Sequence, residues 1–330
     1  MSRQPRLDAP GALHHVMGRG IDGIKIFRNT KDRKDFLERL GDLCEADALR
    51  VYAWALMSNH FHLLLRTGNQ PLSISMRKLL TGYVVNYNRR HNRYGHLFQN
   101  RYKSIICEDD PYLLELTRYI HLNPLRAGIV KDLTGLRLYH WSGHSGIVGT
   151  VKRQWQDTET VLAYFGKNRK KAIEEYQDFV GEGIEAGSRP DLVGGGLIRS
   201  LGGWSHVLSS RRVGRKVFSD ERILGSSEFV KDIIADAEQK EKETLRFASE
   251  LSDLPSLAAK ICEGEGIEEA ELRSGSRKKA VVKSRRIFSQ IAVKKMGYSG
   301  ADVARFLGIT TSAVNRLAVS DEVPEMEKYV

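Results

Sequence analysis

No apolar run in this sequence approaches the roughly 18 consecutive residues that a membrane-spanning helix requires. The opening Met1-Ser2-Arg3-Gln4-Pro5-Arg6 leads into no apolar segment, so no secretory signal is expected. Cysteine is scarce. Cys44, Cys107 and Cys262 are odd in number and widely spaced, which gives neither a disulfide framework nor a zinc spacing and fits a reducing cytoplasm. Acid is in deficit overall: the 330 residues carry 52 lysines and arginines against 41 aspartates and glutamates, a net charge of +11. The deficit is local as well. Arg89 to Ser104 holds five cations and no acid, interleaved with Tyr94, Phe98 and Tyr102, and Arg273 to Arg286 holds seven cations and no acid. Cations alternating with aromatics suit a nucleic-acid strand, because phosphates pair with the former and unstacked bases lie on the latter.

What is present centres on Met57-Ser58-Asn59-His60-Phe61-His62-Leu63-Leu64-Leu65. In an extended strand His60 and His62 share a face while Phe61 points into the opposite layer. Their Cα atoms then lie roughly 6.5 to 7 Å apart, a span that two imidazoles can close around one divalent cation. On a helix the same spacing splays the rings apart. Val51 to Met57 is β-prone, Ser58-Asn59 is turn chemistry, and the apolar run resumes at Phe61, so a hairpin is expected with the pair at the start of its second strand. Taken alone, a His-x-His is more often two ordinary histidines on a half-buried strand.

The remaining elements place this hairpin. Ala12 to Gly20 reads as a first strand, with His14 and His15 structural or substrate-facing rather than ligands. Phe36, Leu37, Leu40 and Leu43 have helical spacing behind Thr30 as the expected N-cap. Pro71 to about Arg93 reads as a long amphipathic helix, and Leu97 to Cys107 as a fourth strand. The order β-α-β-β-α-β predicts an α+β, ferredoxin-like sandwich: one antiparallel sheet with two helices on one face. A further helix starts at Asp109-Asp110-Pro111 and is expected to end at Leu122-Asn123-Pro124. On it Tyr119 and Asn123 stand one turn apart on one face, with His121 about 200° around the axis from Tyr119.

Downstream, His140, Trp141 and His144 read as a structural loop or a DNA-contacting surface, and Val161 to Val180 as helical. Gly181 to Gly203 is glycine-rich and lacks the Gly-Lys-Ser/Thr of a phosphate cradle, so it reads as a mobile connection. These signals divide the chain at about 1–150, 151–225 and 226–330. Val281 to Lys295 is amphipathic, with Val282, Ile287, Ile291 and Ala292 as candidate core positions. Ser299-Gly300-Ala301-Asp302 is a capping signature, and Gly308 separates two short helices, as a helix-turn-helix over about 281–318 requires. Its exposed reading side chains would be Thr310, Thr311, Ser312, Asn315 and Arg316, although a plain helical hairpin gives the same pattern.

Three motifs in order now resemble a family. They are Met57 to Leu64, Gly95-His96-Leu97-Phe98-Gln99-Asn100-Arg101-Tyr102-Lys103, and Arg118-Tyr119-Ile120-His121-Leu122-Asn123-Pro124-Leu125-Arg126-Ala127-Gly128. Over roughly residues 8 to 150 the chain resembles the REP-associated tyrosine transposases, relatives of the one-tyrosine insertion-sequence transposases with the HUH fold. The resemblance implies a metal site of His60 and His62 with a polar residue four after the tyrosine, here Asn123 where relatives have glutamine. It implies Tyr119 as nucleophile, a 5′-phosphotyrosine intermediate and a single-stranded or hairpin DNA substrate of repetitive palindromic sequence. An open site of this kind suits Mg²⁺ or Mn²⁺, the imidazoles favouring the latter. Arg89, Arg90, Arg93, Arg101 and Lys103 would hold the DNA backbone, and the C-terminal helix-turn-helix would add duplex contacts. Two other readings stay open on the residues alone: a helix-turn-helix regulator whose first domain has lost turnover, and a metal-dependent phosphodiesterase that uses water.

Overall fold

A computed structural model describes residues 7, 9, 11–68, 70–185, 187, 192, 220–250, 253–321 and 323–329; the glycine triplet at 194–196 and the pair at 202–203 lie outside the described residues. The chain forms two compact units, Met1–Ile234 and Ala235–Val330.

In the first unit the strands are β1 (Leu13–Arg19), β2 (Leu49–Leu56), β3 (His60–Thr67) and β4 (Lys103–Cys107). Helix α1 (Thr30–Glu45) links β1 to β2, and α2 (Leu72–Arg90) links β3 to β4. The sheet order is β2-β3-β1-β4, all antiparallel, as the ferredoxin-like reading requires. A short fifth strand, β5 (Ile223–Leu224), extends it in parallel to β4.

The two faces of the sheet are covered differently. On one, Phe36, Leu40, Met76, Leu79 and Tyr83 of α1 and α2 pack on Val16, Phe61, Leu63 and Leu65. The other is covered by α3 (Asp109–Arg126), whose Leu113, Leu116 and Ile120 meet Leu13, Leu64 and Ile105. Helices α4 (Thr158–Ala163) and α5 (Arg169–Glu182) add Val161, Leu162, Ala172, Tyr176 and Val180 to that same core. The stretch after residue 150 therefore supplies packing to the first unit. A bulge between Val51 and Ala53 lets Tyr52 and Ala53 both face the second core.

Strand alternation puts Phe61 in the first core and His60, His62 and Leu64 on the opposite face. Gly18 lies directly opposite Phe61, and a Cβ there would come within 2.4 Å of the phenyl ring. Only glycine lets that ring lie under the sheet, and the seated ring fixes the register that aims the histidines the other way.

Several boundaries differ from expectation. Asn29, not Thr30, caps α1: its backbone is extended and its carboxamide accepts the Asp32 N–H at 3.0 Å. The fourth strand starts at Lys103 rather than Leu97, because before it only Phe98 bridges, to Gly20. Helix α3 runs through Pro124 to Arg126; proline costs one donor there, and its carbonyl accepts from Ile129 N–H at 2.9 Å to close the end. Asn123 thus stays within the helix, one turn beyond Tyr119.

His121 projects away from Tyr119 into the second core. Its Nδ1 lies 2.7 Å from the Tyr176 hydroxyl, and His144 Nδ1 lies 3.0 Å from the same oxygen. Burial, assisted by the Arg137 charge, pushes His144 down to about 4, and burial with the His144 charge pushes His121 well down too. Both pKa values fall on folding, so the stability they carry is whole above about pH 6.5 and is lost as pH falls toward 4. For His144 alone the loss is about 3 kcal/mol. Urea unfolding at stepped pH should give a steeper decline below pH 6.5 for the parent than for His144→Phe. Parallel curves would remove this linkage.

In the second unit α6 (Leu254–Glu265) and α7 (Lys279–Gln290) pack through Leu257, Ile261, Ile287 and Phe288. Val282 is 43% exposed, contrary to the sequence reading, because the buried stripe passes through Val281, Arg285 and Phe288. Arg285 donates to the carbonyls of Leu272 at 2.8 Å and Ser276 at 2.7 Å, which ties it inward. Ser299 caps α8 (Gly300–Leu307), Gly308 takes φ +68°, and Thr310 caps α9 (Thr311–Val319). That sequence of cap, left-handed glycine and cap turns one helix sharply against the next.

Candidate active site

Three elements bring the site together. In the β1–β3 register Met17 stands opposite His62 and Arg19 opposite His60, so His15 shares the face of the histidine pair. Helix α3 lays Tyr119 on that face. The Tyr119 ring centroid lies 6.0 Å from His62 and 6.1 Å from His15, and the His60 and His62 rings are 5.3 Å apart. Tyr119 is half-buried, packed at the edge of the core rather than inside it. The Arg126 guanidinium lies 5.4 Å from the Tyr119 centroid, a cation–π contact, and donates to Gly183 O at 3.2 Å.

The imidazoles are oriented from behind. His60 Nδ1 lies 2.7 Å from Asn59 Oδ1, and a carboxamide oxygen only accepts, so the proton sits on His60 Nδ1 and the lone pair on Nε2. His62 Nδ1 lies 3.0 Å from His15 Nε2, both rings buried. With His62 donating to His15, the two histidines of the pair hold the same tautomer and present Nε2 forward. Burial, then the charges of His15 and His60, hold His62 well below its ordinary pKa; burial and Arg19 lower His60. Both rings are therefore neutral near pH 7, the form that binds a metal.

Asn123 is half-buried, and its Nδ2 has no hydrogen-bond partner among the described residues. Rotating the carboxamide by half a turn puts Oδ1 at that buried position as an available oxygen donor. Among the described residues no group of three or more His, Cys, Asp or Glu side chains is gathered to hold a metal. His60 and His62 alone fall short of such a group, and the donor chemistry of two imidazoles with a carboxamide suits Mn²⁺ or Mg²⁺.

A cleft of about 530 Å³ lies beside the pair, lined by Arg19, Asn59, His60, His62, Arg101 and Lys103, with Tyr119 outside its lining. Of the five cations read from the sequence as DNA contacts, Arg101 and Lys103 thus line the cleft, and Arg89 is exposed on α2. Arg90 is engaged by acids of α1, and Arg93 by a surface loop. Arg90 bonds Asp32 at 3.0 Å and Asp35 at 2.9 Å, while Arg93 donates to His96 O at 2.7 Å. Burial pushes the Asp32 carboxyl up, but hydrogen bonds from His91, the Arg28 N–H and Arg90 outweigh it and leave its pKa below the ordinary value. In the second unit Thr311, Ser312, Asn315 and Arg316 are exposed. Thr310 accepts from Ala313 N–H at 3.2 Å as a cap, and the Asn315 oxygen occupies the space a Gly300 side chain would fill.

Sequence reasoning gave no site role to Asn59, Arg19 or Arg126, and read His15 only as structural or substrate-facing. Asn59 had a local signal, an acceptor beside His60. The others meet the site through strand register and helix packing, which no spacing announces.

Residues 12–123 match the family model described as "Transposase IS200 like". That stretch contains the first two motifs on which the likeness to REP-associated tyrosine transposases rests, and the third as far as Asn123. The chain is also similar to a solved structure of a REP-associated tyrosine transposase bound to a REP hairpin, at 15% identity and TM-score 0.36, over 48% of this chain and 93% of that one. No curated protein matches the chain.

Proposed function

We propose, from the premise that residues 12–123 form an IS200-like transposase domain, that the chain is a single-stranded DNA endonuclease and strand transferase. The observation that carries this reading is the convergence of Tyr119 on His60 and His62 from separate elements, at 6.0 Å between the Tyr119 and His62 rings. In the reaction the Tyr119 oxygen attacks phosphorus, the P–O3′ bond breaks, and the phenol proton ends on the departing 3′-oxygen. The 5′-phosphotyrosine keeps the energy of the cleaved bond, so a second 3′-hydroxyl can reseal it without ATP. His60 and His62 through Nε2, with the Asn123 carboxamide, would hold a divalent cation, Mg²⁺ or Mn²⁺, whose charge offsets that of the phosphate in the transition state. Arg126 keeps the Tyr119 ring in place, and Arg101 and Lys103 draw the phosphodiester into the cleft. Attack within a paired duplex is hindered, so the substrate is single-stranded, including a strand beside a hairpin. We assign the protein to the cytoplasm, where a DNA substrate is at hand; among the described residues no helix is long and apolar enough to cross a membrane.

The test is covalent capture: a labelled single strand with Mn²⁺ should yield a protein–DNA adduct that survives denaturation. Absence of any adduct with strands that are nevertheless cut would transfer the nucleophile's role to water.

The second unit supports an additional duplex contact. Its cap–glycine–cap geometry leaves Thr311, Ser312 and Arg316 exposed at the start of α9. Truncation at about residue 270 should leave cleavage of short single strands within about twofold and weaken duplex affinity on the order of tenfold or more. Unchanged duplex binding would remove the helix-turn-helix assignment.

A further inference from the structure

A second cavity adjoins the active-site cleft. It measures about 510 Å³, lies between α2 and the loop before β4, and is lined on its apolar side by Leu80, Val84, Val85 and Phe98. Gln99, Asn100 and Arg101 line both cavities, so the two form one groove leading away from His60 and His62. Val85 is 60% exposed on its wall, and Tyr94, next in the chain to the lining Gly95, is 91% exposed.

Charge identifies what the groove accepts. From Ala48 to Cys107, 60 consecutive residues, the chain has no aspartate or glutamate and nine lysines and arginines. No acidic residue lines either of the adjoining cavities. Two larger cavities of the same unit, about 800 and 1080 Å³, differ in this respect, since Glu38, Asp42 and Glu45 line one and Asp47 and Asp157 the other. Two adjoining cavities whose linings hold no carboxylate, with apolar and aromatic side chains beside Arg19, Arg101 and Lys103, match a strand that carries one phosphate per nucleotide and presents unstacked bases. A folded protein partner would tolerate acids on such a wall, because its own surface carries both signs.

We propose that single-stranded DNA flanking the scissile bond leaves the cleft across Gln99–Arg101 and follows the groove along α2, with a base against Tyr94. The inference rests on the reading of His60, His62 and Tyr119 as a DNA-cleaving site, and it adds the path of the strand. It makes the affinity of the protein depend on strand length, because a short oligonucleotide fills only the cleft.

Fluorescence anisotropy of the full chain with oligothymidylates of about 6 and about 16 nucleotides reads this directly. The parent should bind the longer strand about tenfold or more tightly than the shorter. Val85→Glu sets a carboxylate on the exposed wall and should cut affinity for the longer strand about tenfold, leaving the shorter within twofold. Tyr94→Ala, at a position with almost no buried surface, should cost the longer strand about tenfold as well. Thermal melts matching the parent's would exclude unfolding as the cause. A 5-iodouracil placed in the distal half of the longer strand should cross-link to the segment 94–98.

Parent-like affinity of both variants for the longer strand would overturn the path, as would a cross-link in the acid-lined cavities. If the parent still forms its Tyr119 adduct in that case, only the path is wrong and the catalytic reading stands. If length-dependent binding responds to Val85→Glu while no adduct forms, the groove stands and the catalytic reading falls.

Discussion

Tyr119→Phe should abolish the covalent adduct and reduce strand cleavage on the order of 10⁴-fold or more, while leaving single-strand affinity within about twofold. The contrast follows from what the substitution keeps. Phenylalanine preserves the ring that packs edge-on to His62 and His15 and lies under Arg126, so α3 stays seated on the sheet. Only the oxygen is lost. In a mechanism with Tyr119 as nucleophile no other group can form the ester. In one that uses water the ring would be scenery and cleavage would persist. A labelled oligonucleotide with Mn²⁺, resolved on a denaturing gel, separates the two: cleavage by the variant at the parent's rate would end the nucleophile assignment.

The second large effect concerns a residue with no proposed contact to metal or DNA. His15→Ala should weaken Mn²⁺ binding by about 10- to 100-fold, read by electron paramagnetic resonance or calorimetry without DNA. His15 Nε2 sits 3.0 Å from His62 Nδ1, and the rings stack at 5.3 Å. Removing that acceptor leaves His62 free to exchange its proton between nitrogens and to rotate, and half of those states point a protonated nitrogen at the cleft. His15→Gln offers a carboxamide oxygen to the same Nδ1–H and should recover much of the loss. His14→Ala is the control for strand stability, since His14 turns to the other face and meets Ser104 at 3.0 Å. Parent-like Mn²⁺ affinity in His15→Ala would reduce the contact to packing. Loss in both His15→Ala and His15→Gln, with unchanged melts, would place the effect in ring stacking instead.

How much was legible in advance varies with the range of the interaction. Alternation within one strand put His60 and His62 on a common face, and a 3.6-residue repeat put Tyr119 above Asn123; both are consequences of local geometry and both hold in the structure. The βαββαβ order and the antiparallel sheet were readable for the same reason. The end of α3 was misread because the pre-proline rule is a preference, and a helix already packed by Leu113, Leu116 and Ile120 carries through it. The basic run 89–103 was read as a single DNA-holding surface. In the folded chain Arg90 is drawn inward by Asp32, an acid 58 positions earlier, and composition has no access to that partner.

The residue order by itself determined which side chains could serve: a paired imidazole on a strand, a phenol and a carboxamide one helical turn apart, and a long stretch from which carboxylates are missing. These depend on the period of a strand or helix and on covalent composition. Only the tertiary structure decided that α3 crosses the sheet face carrying His60 and His62, that β1 delivers His15 behind His62, and that two acid-free cavities join into one groove. Those outcomes depend on which apolar faces bury each other and on the register that Phe61 takes against Gly18, so they exist only once distant segments have packed.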